Sequence, residues 1–391
     1  MKKILVLGNT GLNSSNNSTN NRMKKIFEVM HTQYGFTFDY YKLREAVLEV
    51  DYINYLNKKA DANPIHAYKT IIKGNKHYEI VLAETFNAVI VAYMFFLKTK
   101  TPFIWRQFGT TFNDELRAKS YFNPKIFLKF LIHKIIVNST GCKAVVCTED
   151  GCANRALYLE KLSLSTEKLY MVKNQRTENV EKVKVQLSQD DVFRIVQIGR
   201  ITSWKKIHIL VDALINIKNK YPEISKKIEL DIIGQSQDII YENRLKKLLI
   251  NHGLDEQVRF KKDLEYHQIE KILQEVNLSI SLTAYNPIIE SLQNEVPVIT
   301  YEYGEIGKVF ENCEAVFILA KDFKQSSFLS KEQEKQITIE LEDKLLVLFE
   351  GRESLKELGV KGKKFVESSF PLLDEHVREV TAIYRKVIDT L

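Results

Sequence analysis

Thr283-Ala-Tyr-Asn-Pro-Ile-Ile-Glu-Ser-Leu-Gln-Asn-Glu-Val-Pro-Val-Ile-Thr300 is the stretch on which the reading of this chain turns. It spells loop, helix, turn and strand. The apolar run Leu278–Leu282 before it has the length of a strand. Asn286 is expected to cap the helix and Pro287 to take its first position, where a missing N–H costs nothing. The helix should end near Asn294-Glu295, because Pro297 forbids continuation and the β-branched Val298-Ile299-Thr300 favours a strand. A strand feeding a helix N-terminus sets unpaired backbone N–H groups at the carboxyl end of a sheet, where an anion binds readily. Glu290, one turn into the helix, repels phosphate and suits a hydroxyl pair such as a ribose. An ordinary strand–helix–strand crossover with a solvated Glu290 fits the same spacing.

Outward from this stretch the chain alternates strand and helix. Downstream, Ala315–Leu319 reads as a strand, Leu355–Ser368 as a helix, and Leu373–Leu391, after Pro371, as a last helix. Upstream, Phe193–Ile198 is a strand closed by Gly199-Arg200, and Ile207–Lys220 is an amphipathic helix. Ile228–Ile233 ends at Gly234, and Gly253 stops the helix Glu242–His252. A second strand–glycine–helix opening lies at the start of the chain, with Lys3–Leu7, then Gly8 to Gly11, then a helical period from Arg22. Two such openings predict two doubly wound α/β domains, 1–180 and 192–370, joined by the polar stretch Gln175–Asp191. Neither opening holds a complete G-x-G-x-x-G, so no dinucleotide fingerprint is claimed. In the first domain Glu79–Ala83, Phe103–Gln107 and Lys143–Thr148 read as strands and Ala88–Leu97 as a buried helix.

The chain has 391 residues, too many for one ordinary core, and its 45% apolar and 27% charged residues are those of a folded protein. A net charge of +7 suits an anionic ligand or a membrane surface. Without a clustered Arg/Lys stripe interleaved with aromatics, nucleic acid is not expected as a partner. No secretory signal or spanning run of apolar residues is visible, so a cytoplasmic location is expected, with peripheral contact at the inner membrane face as an option. The segment Pro124–Val137 is strongly apolar, with Lys125, Lys129, His133 and Lys134 at helical spacing. It fits an interfacial helix, or a core-packed helix with one basic edge. Cys142, Cys147, Cys152 and Cys313 match no zinc spacing and are expected to be free structural thiols, with Cys142 beyond the end of the Lys143–Thr148 strand.

Three features of the second domain converge at one sheet edge: Arg200 and Lys205 after its first strand, the Gly234 turn, and the Asn286–Glu290 loop and helix. Arg brings a planar fork of donors and Lys a point charge for phosphate oxygens, which together with backbone N–H groups make a diphosphate site. Gly199-Arg-Ile-Thr-Ser-Trp-Lys205 resembles the G-R-[IL]-x-x-x-K-G opening of family 4 glycosyltransferases. Leu230-Asp-Ile-Ile-Gly234 resembles their L-x-I-x-G turn, and Glu290–Ile299 their E-A-M-A-x-G-x-P-V-I segment, in the same order.

The resemblance implies the GT-B fold, two Rossmann-like domains facing across a cleft, with the last helix, 373–391, packed back on the first. It implies retaining transfer from a nucleotide-diphosphate sugar, with no cofactor and usually no metal. With these motifs, no visible signal and the basic apolar Pro124–Val137 segment, a saccharide or lipid-linked saccharide acceptor in surface polysaccharide biosynthesis is expected. Arg200, Lys205 and Glu290 would carry the reaction, the first two on the diphosphate and the third on the ribose. Gly8, Gly11, Gly199, Gly234, Asn286, Pro287 and Ile288 would line the donor. On the acceptor side the candidates are Glu84, Arg106 and Thr110, with packing an alternative for Arg106. Four features depart from the pattern. Leu282 stands where the first motif Glu belongs, Asn286-Pro287 replaces a Gly-rich approach, Lys206 replaces the Gly after Lys205, and Glu295 replaces the Gly before Val296-Pro297. The missing carboxylate, and the absence from Trp105–Thr111 of the His that many relatives place near the donor, keep a second reading open, a non-catalytic GT-B subunit supporting a partner transferase. An epimerase of the same fold would need a cleft carboxylate and His set, which the sequence does not display.

Overall fold

The computed structural model of the protein describes residues 2–8, 18–43, 51–57, 59–61, 63–108, 123–149, 154–177, 191–283, 285–321 and 329–391. The chain divides into two compact units. One holds Met1–Glu149, Ala153–Gln175 and Leu372–Leu391, and the other holds Arg176–Pro371 with Asp150–Cys152.

In the first unit the strands are β1 (Lys3–Gly8), β2 (Thr37–Lys42), β3 (Ile53–Tyr55), β4 (Ile80–Ala83), β5 (Phe103–Gln107), β6 (Cys142–Glu149) and β7 (Leu169–Lys173). They form one parallel sheet in the order β3-β2-β1-β4-β5-β6-β7. Helices cover both faces, so β1, β4 and β5 are almost wholly buried and read as continuous apolar runs, not as alternation. The last helix, Leu373–Asp389, belongs to this unit. Its Val377, Val380, Tyr384 and Ile388 fall on one stripe and pack with Ile4, Val6 and Phe38.

The second unit repeats the plan. Its strands β8 (Phe193–Ile198), β9 (Ile228–Ile233), β10 (Val258–Lys261), β11 (Leu278–Ile280), β12 (Val298–Tyr301) and β13 (Val316–Leu319) pair in parallel in the order β10-β9-β8-β11-β12-β13. That is the doubly wound 3-2-1-4-5-6 order. The chain builds outward from β8 and then returns to its other side, so β8 and β11 are neighbours whose helices leave in opposite senses. The crevice beyond their carboxyl ends is the switch point at which such sheets bind ligands.

The ends of the long segment of the second unit lie side by side. The Arg176 N–H donates to Pro371 O at 2.8 Å, and its Nε donates to Phe370 O at 3.1 Å.

Several expectations change in detail. Tyr285, not Asn286, precedes the helix, which runs Asn286–Gln293 with Pro287 in its first turn and no side-chain cap. Cys142 is the first residue of β6 and shares its core with Cys147, not a position beyond the strand. Both are free thiols, as is Cys313, and Cys152 lies outside the described residues. The polar stretch between the domains falls largely outside them as well. The helix from Arg22 begins at Ser18, and the last helix stops at Asp389.

Candidate active site

The site grows from the two loops at the switch point of the second sheet. After β8 the backbone reaches Gly199 at φ +142°, and after β9 it reaches Gly234 at φ +151°. A Cβ on Gly234 would sit 2.0 Å from Gly199 O, so the two turns touch only because Gly234 has no side chain. The contact continues as a short ladder: Ile201 N–H donates to Gln235 O at 2.9 Å, and Gln237 N–H donates to Ile201 O at 3.2 Å. Arg200 projects from this ladder into solvent. Its Nη1 donates to Gln237 Oε1 at 3.0 Å, which holds one edge of the guanidinium.

Lys205 ends the turn Ser203–Lys205 and is buried. Its stem passes Gly199, where a Cβ would lie 3.6 Å from Lys205 Cε. The ammonium lies 4.5 Å from the Trp204 ring centre, and Nζ donates to Thr283 O at 3.4 Å. Thr283, the exit of β11, donates its hydroxyl to Trp204 O at 3.1 Å. Lys205 and Thr283 thus tie the β8 exit to the β11 exit across the switch point. A buried cation held by a carbonyl and an aromatic face is a preset point charge.

From Thr283 the chain turns into the helix Asn286–Gln293. Asn286 and Pro287 are half-buried at its start, and Ile288 is fully buried as core, not as a lining residue. Ser291 donates to Ser279 Oγ at 2.8 Å, locking the helix onto β11. Glu290 keeps part of its surface open, but the protein crowded round its carboxyl, with Glu270 repelling it, pushes its pKa up to about 7. Tyr266 feels both carboxylates, and its hydroxyl is raised by burial first and by them second. The far end of the same helix is held by Gln293. Its Oε1 accepts from Thr177 N and Oγ1, both at 3.0 Å, and its Nε2 donates to Thr177 O at 3.0 Å.

The sequence therefore names Arg200, Lys205, Gly199, Gly234, Asn286, Pro287 and Glu290 in one unit, and the fold places them on the exits of β8, β9 and β11. It does not name Gln237, Thr283, Trp204, Glu270 or Gln293, which position them. These act through backbone atoms or across sequence distance, so no local motif marks them.

Gly8 lies in the first unit and has a packing role: a Cβ there would fall 1.6 Å from the Tyr40 hydroxyl. Glu84 and Arg106 are buried in that unit. Arg106 donates to Val146 O at 3.2 Å and Thr148 Oγ1 at 3.1 Å, and its guanidinium lies 4.8 Å from the Phe108 ring centre. On the last helix, burial and then the charges of Arg106 and Arg22 lower His376 to about 3. Neither side chain is presented to an acceptor in this form. Gly11 and Thr110 lie outside the described residues.

Residues 179–354 match the family model "Glycosyl transferases group 1". No curated protein sequence matches the chain. Among solved structures, sucrose-phosphate synthase from Thermosynechococcus elongatus superimposes with a TM-score of 0.73 at 13% identity, over 100% of both chains. HepE from Anabaena, in complex with UDP and glucose, gives 0.67 at 12% identity over 99% of this chain and 100% of that one. WaaG, a glycosyltransferase involved in lipopolysaccharide biosynthesis, gives 0.65 at 11% over 97% and 99%. The chain has the GT-B fold, and part of its second unit matches the glycosyl transferases group 1 model. The family match covers the unit that carries Arg200, Lys205 and Glu290, and both units are Rossmann-like, as the fold requires.

Proposed function

We propose that this glycosyltransferase moves a hexose or N-acetylhexosamine, with retention, from a nucleotide-diphosphate sugar to a lipid-linked saccharide acceptor in surface polysaccharide biosynthesis. The work is done in the cytoplasm at the inner face of the membrane, without a metal. The observation that carries this reading is the pair of loops joined by Lys205 and Thr283 at the switch point. They set a fixed cation beside a helix start, with Arg200 at the rim.

In this reading the diphosphate binds over the Asn286–Gln293 helix start, at the positive end of the helix dipole. Lys205 and Arg200 neutralise the charge that grows on the leaving diphosphate as the glycosidic bond breaks. Glu290 accepts from the ribose hydroxyls. Asn286 offers an amide to the donor sugar, in place of the carboxylate lost at Leu282, which is buried in the core. The UDP and glucose bound to HepE and the UDP-2-fluoro glucose bound to a trehalose-6-phosphate protein from E. coli, another structural neighbour, support a nucleotide sugar as donor. The lipopolysaccharide role of WaaG supports a lipid-linked acceptor. Among the described residues no helix is long and apolar enough to cross a membrane.

Glu290→Ala should lower turnover at least tenfold while the protein stays folded, measured as nucleotide release from UDP-sugars and GDP-sugars with a membrane extract as acceptor. Near-normal turnover would remove Glu290 from the site.

A further inference from the structure

The helix Pro124–Asn138 carries a surface that the sugar-transfer site leaves unexplained. One face is core: Ile126, His133, Ile136 and Val137 are buried, and His133 stacks on Phe86 with ring centres 4.5 Å apart. The opposite face is apolar too, yet it is open. Phe127, Leu128, Leu131 and Ile135 are 50%, 56%, 41% and 51% exposed. At 100° per residue these four fall within one arc on the side away from the core. Both ends of the helix are held, Lys125 N–H by Asn123 Oδ1 at 3.1 Å and Asn138 Nδ2 by Leu162 O at 2.9 Å, so the face is presented on a fixed rod.

The charges decide the occupant. The helix has no acidic residue, and lysines border the open arc, Lys134 on one side and Lys125 on the other, with Lys129 on the core side. The core of a protein–protein interface is depleted of lysine, whereas lysines bordering an apolar stripe suit a bilayer whose headgroups are anionic. Their long stems follow the apolar surface and lift the ammonium groups to the phosphates.

We infer that the Phe127–Ile135 face of this helix is a docking surface for an anionic lipid bilayer, which seats the first unit on the membrane that holds the acceptor. The inference rests on the proposed lipid-linked acceptor only in choosing what the docking is for.

The test is cosedimentation of the full chain with vesicles of phosphatidylcholine alone and of phosphatidylcholine mixed with phosphatidylglycerol. Binding should need phosphatidylglycerol and fall in high salt. It should weaken at least roughly tenfold in Lys125→Glu/Lys134→Glu and also in Leu128→Ser/Ile135→Ser, which lose flanking charge and buried apolar area respectively. Each variant should keep the wild-type melting temperature, since the replaced side chains make no core contact. Unchanged binding in both variants, or no binding to the mixed vesicles, overturns the proposal. So does a concentration-dependent dimer that Leu128→Ser/Ile135→Ser abolishes, because a second copy then covers the face. Vesicle binding needs no sugar donor, so a failure of the sugar-transfer reading appears separately, as a chain that docks on vesicles but does not respond to nucleotide.

Discussion

Glu295 stands at φ +63° and Lys206 at φ +58°, the left-handed region in which a side chain is strained. These are two of the positions at which the chain departs from the family-like pattern, and at both the expected residue is glycine. The backbone has kept the conformation while the sequence has given up the residue that makes it cheap. Each departure is partly offset by an ion pair, Lys206 with Glu334 at 2.7 Å and Glu295 with Lys363 at 3.5 Å. The second is the weaker. Glu295→Gly should therefore stabilise the protein by about 0.5–1 kcal/mol, seen as a higher midpoint in urea. A lower midpoint would mean that the ion pair outweighs the strain.

Glu290 gives a pH prediction at the same scale. Its carboxyl is raised to about 7 by burial and by Glu270, so it is charged above pH 7 and protonated below. A protonated carboxyl is a poorer acceptor for ribose hydroxyls, so nucleotide affinity should fall as pH drops from 8 to 6. Glu290→Gln should flatten that profile. Titration calorimetry across this range decides it; an identical slope in wild type and variant would remove Glu290 from nucleotide binding. The same raised pKa makes the charged form costly in the folded state, so Glu290→Gln should also melt higher than wild type above pH 7.

Elements with strong apolar periods or sharp punctuation were legible in the sequence. The strands β8, β9 and β12 and the helices Ile207–Lys220 and Asn286–Gln293 fall within two residues of their expected bounds. The helices Pro64–Lys73 and Lys331–Glu350 were not assigned, although signals exist for both. Asn63-Pro64 is a cap followed by a first-turn proline, and Ser330 with Gln333 forms a capping box ahead of Ile337, Leu341 and Leu345 at helical spacing. Their many charged and polar residues dilute the period. The acceptor-side candidates were harder, because a buried arginine and an exposed one read alike. Arg106 is spent on the Val146 carbonyl and the Thr148 hydroxyl of β6, 40 and 42 residues along the chain.

At this scale Gln293 is the residue to probe. Its amide makes three hydrogen bonds to Thr177 and so fastens the Asn286–Gln293 helix to the segment entering the second unit. Gln293→Ala should cost roughly 1–3 kcal/mol, since it leaves part-buried backbone polar groups unpaired. A loss within error would show that water replaces the amide.

For the molecule as a whole, two units with separate sheets and cores are expected to unfold in separable steps. Acid should destabilise the first unit. His133 and His376 are buried there and held neutral, each with a pKa lowered to about 3, chiefly by burial. A lowered folded-state pKa contributes stability above the ordinary value near 6.5, and that stability drains away as pH falls towards 3. Nucleotide should act on the second unit instead, because Arg200, Lys205 and Glu290 all lie there.

Calorimetric melting with UDP, GDP, CMP and their sugar conjugates therefore tests the central claim most directly. A nucleotide at a hundred times its Kd should stabilise the unit it binds by about 2.7 kcal/mol. The account predicts that one nucleotide diphosphate raises the transition of the second unit, and that Arg200→Ala, an exposed change that leaves the fold intact, removes the shift. A flat response to every nucleotide, or a shift that Arg200→Ala leaves unchanged, would contradict a diphosphate site at the carboxyl ends of β8 and β11.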